Sequence, residues 1–423
     1  IKISIGKIKN ICVKHLLKEP LIKTFKDILI TLLQLISNEE SNVINTNKFI
    51  DSLFVILLNA IKKENNDEFI INAKIVIKFI QGFFESKIVN KYNFEKIISD
   101  YYVSVLDIIF KNVPQFIDPE KNVFNDEYFL LLVKLIEGMF LNLKSVQKTE
   151  DIDNVKYCGL ISNLFKKYGK ILLELIKIQL PLSENSKKVF VNQNQIISFS
   201  LIENEKLCSS INTMKSKCFQ YFAFNIEVLS RKTNENKFTT YDIQDQYIIE
   251  LMAELTKIII IALQDILSNK EKFLLVKSSK EGIFTSDKSY NNLLYNIFLF
   301  LSRYLIRIPI IKEFSSYINY FLLNVLFPFA TFEDSEKQFM SEEPDIYINY
   351  LDDILYSFKY SNFRTSLCFL IQKIFRYYDE SNIIFYYIIE MIMYIFDMNN
   401  SNNNDKIKYK IYLNDNYKSV LNN

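Results

Sequence analysis

Tryptophan is absent from this 423-residue chain, histidine occurs once, and there are only six glycines and seven prolines. Each shortage excludes something. Sheet proteins turn every ten residues or so and draw on Gly and Pro to do it, so the chain is predicted to be built of long helices joined by short polar links. Nucleophilic triads, metal hydrolysis and most general acid–base schemes use histidine. His15 alone, three residues from Cys12, reads as the flank of a helix rather than half of a dyad. No G-x-x-x-x-G-K-[ST], G-x-G-x-x-G or G-x-S-x-G occurs, which removes phosphate cradles and the nucleophile elbow. The expectation is a protein that is not an enzyme and carries no cofactor.

Cysteine is also sparse. Cys12, Cys158, Cys208, Cys218 and Cys368 are scattered, with no C-x-x-C pair, and structural zinc normally needs such pairs. Reduced, mostly buried thiols in a cytosolic or nuclear compartment are expected. Neither charge sign is in surplus: 51 basic against 49 acidic residues leave a net +2, with Lys and Glu interleaved along most of the chain. That predicts no direct nucleic-acid partner and no attraction to an anionic membrane. Long hydrophobic runs are missing too. The stretch 383–396 is short for a span and carries Glu390, and 298–311 is broken by Arg303 and Arg307. The chain opens on Ile1 rather than Met, which reads as a piece of a longer protein.

What is present is helical periodicity. Hydrophobic residues make up 49% of the chain and charged residues 24%, a globular balance. Phe49, Leu53, Ile56, Leu57, Ala60 and Ile61 recur at steps of three and four, as do Phe94, Ile98, Tyr101, Val105 and Ile109. Pro20 suits the first turn of a helix running to about Ser37. Asn125 before Asp126 and Glu127 predicts an N-cap followed by first-turn acids. Thr239 and Asp242 have the spacing of a capping box ahead of a helix over 243–267.

About fourteen helices are predicted, many in pairs: 20–37 with 46–62, 66–84 with 92–112, 290–307 with 310–327, and 361–378 with 382–397. A pair of helices every ~40–47 residues is HEAT or armadillo spacing, so the fold class expected is all-α, a HEAT-like α-solenoid of antiparallel pairs over one array, 1–423. Residues 181–212, 268–289 and the acidic insertion 331–344 interrupt it, and 399–405 is a low-complexity loop. The acidic pairs Asp352–Asp353 and Glu342–Glu343 read as solvated faces, and Phe385–Tyr386–Tyr387 as core.

Two phrases carry a family likeness. Val325-Leu-Phe-Pro-Phe329 runs into Thr331-Phe-Glu-Asp-Ser-Glu-Lys-Gln-Phe-Met340 and then Ser341-Glu-Glu-Pro-Asp-Ile-Tyr-Ile-Asn-Tyr350. This order resembles the importin-7/importin-8 branch of the importin-β (karyopherin) superfamily and its relative, the exportin for importin-α. Upstream, Met214-Lys-Ser-Lys-Cys-Phe-Gln-Tyr-Phe-Ala223 is similar to a Lys- and aromatic-rich helix of the same branch. The likeness covers about 140 residues. It implies a nuclear transport receptor that shuttles between cytoplasm and nucleus, with Ran-GTP, a protein cargo and Phe-Gly nucleoporins as partners. A HEAT-repeat scaffold of another assembly is the alternative. Independently of the likeness, Pro344 suits the first helical position, with Glu342 and Glu343 at the positive helix end.

The acidic insertion is the candidate partner contact. Glu333, Asp334, Glu336, Glu342 and Glu343 stand against one base, Lys337, and would attract a basic surface, with Phe339 as an apolar anchor.

Overall fold

The computed structural model describes residues 66–85, 97–118, 123–147, 154–178, 205–229, 246–268, 277–278, 284–285, 288–306, 314–330 and 363–378, with single positions between 54 and 62 and at 310, 341, 342, 344, 345 and 381. Of the residues described, 94% are helical, so the fold is all-α. In chain order the main helices are α1 (Asn66–Glu85), α2 (Val103–Lys111), α3 (Asp126–Gln147), α4 (Asn154–Lys177), α5 (Glu205–Leu229), α6 (Gln246–Ser268), α7 (Lys288–Tyr304) and α8 (Phe363–Tyr377). Between α7 and α8 lies a composite helical segment over 315–330. The only described strands form two antiparallel two-residue hairpins, β1 (Ile117–Asp118) with β2 (Val123–Phe124), and β3 (Lys277–Ser278) with β4 (Phe284–Thr285).

The helices follow from their apolar spacing. α1 buries Phe69, Ile70, Ala73, Val76, Ile77 and Ile80, a stripe at steps of one, three and four. α2 buries Val105 and Ile109, as their spacing predicts, together with Leu106 and Phe110. Phe94 of the same predicted stripe lies outside the described residues. Of the earlier stripe Ile61 is described, and it is buried; Phe54, left out of that stripe, is buried beside it. Each such side chain removed from water contributes about 1.5–3 kcal/mol.

Two wider helical turns punctuate this regularity. A π-helical turn, Ile97–Tyr102, leads into α2. A second, Leu322–Leu326, precedes Phe327–Ala330. The second has a visible cause. Pro328 lacks an amide hydrogen, and in a regular helix its ring would meet the carbonyl of Asn324; widening the preceding turn relieves both problems.

The chain divides into two compact units, Ile1–Val191 with Ser198–Asn225, and Asn192–Ile197 with Ile226–Asn423. In the first, α1 packs most extensively on α3. The pair runs parallel: Lys74 reaches Glu127, and one turn pair later the Gln81 amide donates to the Lys134 carbonyl at 3.4 Å. α3 and α5 also run parallel, with Lys206 on Asp126 at one end and Lys217 on Glu137 further along, both at 2.8 Å. α2 meets α4 where the Tyr168 hydroxyl bonds the Asp107 carboxylate at 2.8 Å and Lys167 pairs with it at 2.6 Å.

Among the described residues of the second unit α7 and α8 make the most extensive packing, again parallel. The Phe363 amide donates to the Asn291 side chain at 3.3 Å, and the Tyr378 hydroxyl donates to the Leu305 carbonyl. Within this unit Glu227 pairs with Arg303 at 2.8 Å, and α6 meets the 315–330 segment through Gln264 and Tyr320 at 3.3 Å.

Some sequence expectations move. The polar interruption at 181–212 ends by Glu205, where α5 is already formed, because Cys208, Ile211 and Asn212 supply a buried face among the polar residues. Lys277–Thr285 of the 268–289 interruption holds the β3–β4 hairpin. Ser341, Glu342, Pro344 and Asp345 are helical and exposed, while Glu343 between them and the residues over 331–340 lie outside the described residues. The helices expected over 20–37 and 382–397, the Thr239–Asp242 capping pair, His15, Asp352, Asp353, Phe385 and the 399–405 loop lie outside the described residues.

Candidate functional site

The upstream family-like phrase, Met214–Ala223, sits in the middle of α5. Met214, Lys215, Cys218, Phe219, Tyr221 and Phe222 are each fully buried, while Lys217 and Gln220 are half-buried. Burial continues on almost every side from Ile211 to Ile226, the mark of a helix enclosed by neighbours rather than lying on a surface. Phe165 of α4 stacks on Tyr221 at 6.5 Å and meets Phe222 edge-on at 5.5 Å. The aromatic residues of the phrase are therefore core residues.

Lys215 is the unexpected member. Its neighbours in sequence, Lys217 and Lys206, reach carboxylates on α3, but Lys215 turns inward and is 0% exposed. Burial pulls its ammonium from 10.5 down to about 7, and the buried Cys208 and Cys218 oppose this only in part. The same burial pushes the Cys218 thiol far up. Cys208, Lys215 and Cys218 share one face of α5, at i, i+7 and i+10, so the helix gathers a near-neutral amine and two inert thiols. All three side chains are shut off from solvent.

Polar side chains at the helix ends tie the helices together. The Asn125 side chain accepts the Tyr128 amide at 3.0 Å, the cap predicted from sequence, and α3 begins at Asp126. The first-turn acids then reach outward. Asp126 accepts from Ser210 at 2.6 Å and pairs with Lys206; burial raises its pKa, but the hydrogen bonds from Lys206 and Ser210 outweigh this and hold it below the usual range. Glu127 is held low by its bond from Lys74. The Tyr128 hydroxyl donates to the Ile109 carbonyl at the end of α2. One N-terminus thus joins α1, α2, α3 and α5.

Of the predicted contact residues, Glu342 is described: it is helical and exposed. Glu333, Asp334, Glu336, Phe339 and Glu343 lie outside the described residues. In the phrase that precedes them, Val325, Leu326 and Phe329 are buried, with Phe329 edge-on to Phe298 at 5.5 Å. Among the described residues no group of three His, Cys, Asp or Glu is placed to hold a metal ion, and no helix is long and apolar enough to cross a membrane.

The face that sequence reasoning missed is the outer side of α8. Thr365, Cys368, Phe369, Gln372 and Arg376 are exposed there. The signal was present: the helix reads FRTSLCFLIQKIFRY, with three cations and no carboxylate.

No protein-family model, curated protein or solved structure matches the chain.

Proposed function

We propose that the chain is a HEAT-like stack of antiparallel helix pairs that binds other macromolecules, and that it works as a nuclear transport receptor carrying protein cargo through nuclear pores under the control of Ran-GTP. Parallel packing of alternate helices, α1 on α3 and α3 on α5, supports the stack, since a stack of antiparallel pairs requires every second helix to run the same way. The observation that carries the transport reading is the order of the two phrases, Met214–Ala223 and Val325–Tyr350. Their described parts are helical; Met214–Ala223 is mostly buried, and in the second phrase Val325, Leu326 and Phe329 are buried while Ser341, Glu342, Pro344 and Asp345 are exposed. On this reading the protein shuttles between cytoplasm and nucleus, has no catalytic step, and meets Phe-Gly nucleoporins on the way.

One observation favours a second reading. The Met214–Ala223 phrase is fully accounted for by core packing, so a scaffold subunit of another large assembly would carry it equally well. The two separate in a pull-down of the full chain with GTP-locked Ran and with Phe-Gly repeat peptides. A transport receptor retains both. Retention of neither ends the transport reading and leaves the scaffold.

A further inference from the structure

We propose that the outer face of α8 is a docking surface for an acidic peptide segment of a partner protein. This does not depend on the transport reading. α8 turns Phe363, Ser366, Leu367, Leu370 and Ile374 inward, where they pack on α7 and on Phe329. Its two ends are fixed to α7 by the Asn291 and Tyr378 hydrogen bonds, so the opposite face is held rigidly outward.

That face alternates cations with rings. The Lys373 ammonium lies 5.1 Å from the Phe369 ring centre and 5.7 Å from that of Tyr377, one turn to either side. Arg376 lies 5.7 Å from Tyr377; Arg364, at the flank of this face, lies 5.6 Å from the inner ring Phe363. Phe369 remains 40% exposed. Elsewhere Lys74, Lys167, Lys206, Lys217 and Arg303 reach carboxylates across helices, whereas among the described residues Lys373 and Arg376 are set against rings. From Arg364 to Arg376 the helix covers about 18 Å at ~1.5 Å per residue, the reach of a short peptide.

The chemistry selects the occupant. Rings beneath Lys373 and Arg376 fix the two cations in place, lowering the entropy lost when a carboxylate pairs with them. A carboxylate leaves those cation–ring contacts intact, and an apolar side chain beside it covers Phe369. A nucleic-acid base would have to displace Lys373 to stack on either ring. Three cations are also few for backbone binding, which commonly engages about 6–10 phosphates.

The test uses the full chain and a fluorescein-labelled peptide of four Glu-Asp-Phe repeats, with its Gln-Asn-Phe counterpart and a twelve-nucleotide oligo-dT as the other arms. Anisotropy should report binding of the acidic peptide, weakened about tenfold by Lys373→Glu with Arg376→Glu and less by Lys373→Gln with Arg376→Gln. Phe369→Ser should weaken it further, and circular dichroism checks that each variant keeps its helix. Alkylation of the exposed Cys368, followed by mass spectrometry, should slow when the acidic peptide is bound. Several results overturn the proposal: no binding of the acidic peptide, equal binding of its neutral counterpart, tighter binding of oligo-dT, affinity untouched in both charge variants, or no protection of Cys368.

Discussion

Gly138 of α3 lies so close to Gln81 of α1 that a Cβ on the glycine would stand 2.9 Å from the Gln81 amide nitrogen. The contact is close but soft, because that nitrogen ends a flexible side chain and donates only a 3.4 Å bond to the Lys134 carbonyl. Gly138→Ala gains about 1 kcal/mol of helix propensity and loses roughly that much with the displaced bond. Urea unfolding should therefore place it within about 0.5 kcal/mol of the parent, and Gln81→Ala with Gly138→Ala should be more stable than Gln81→Ala alone. Gly138→Leu has no room and should cost about 1–3 kcal/mol.

Lys215 makes stability depend on pH in a direction that is easily read. Its folded pKa is about 7, against 10.5 ordinarily. Between these values the unfolded chain holds a proton that the folded chain has released, so stability rises with pH, by up to about 1.4 kcal/mol per unit. Below about 7 both states hold it and the penalty stays constant. Cys218, whose pKa burial raises, acts in the opposite sense once unfolded thiols ionise near ~8.5. Tyr128, Tyr168 and Tyr221, also raised by burial, follow near ~10. Urea midpoints should climb from pH 7 to 8.5. Lys215→Met should raise the midpoint at pH 7 and flatten the climb, and a variant that keeps the climb would remove Lys215 as its source.

At the start of α3, Asn125→Ala should cost about 1 kcal/mol and Asn125→Asp close to nothing, since either Asn or Asp accepts the Tyr128 amide. Asp126 adds an acid-side dependence. Its folded pKa is lowered, so its contribution is complete above the ordinary value of 3.8 and disappears as pH falls through the lowered one. Asp126→Asn should shrink the loss of stability between pH 5 and 3, measured by thermal melts across that range.

Much of this fold is legible in the sequence wherever one residue suffices to mark it. Asn125 ahead of two acids marks the start of α3, and the steps to Val105 and Ile109 mark the inner face of α2. What stays hidden depends on partners far along the chain. Lys215 and Lys217 are two residues apart in one phrase, yet one is enclosed and the other pairs with Glu137, 80 residues away. Residues 205–212 look like a polar link because their apolar positions are interspersed with Ser, Lys and Asn, and only their burial against neighbouring helices makes them helix. The acidic insertion stands out in the sequence by its density of charge. The α8 face, with cations and rings at helical spacing, has the same kind of signal in sparser form and appears once the inner residues of the helix are known.

Parallel packing of alternate helices underlies the whole account, and the Gln81–Gly138 contact tests it most directly. The chain carrying Gln81→Cys and Gly138→Cys is oxidised and digested, and the cross-linked peptides are identified by mass spectrometry. A disulfide between positions 81 and 138, formed rapidly at dilute protein concentration, is the predicted result. Its absence under conditions where both thiols alkylate freely would contradict the register of α1 on α3, and with it the stack.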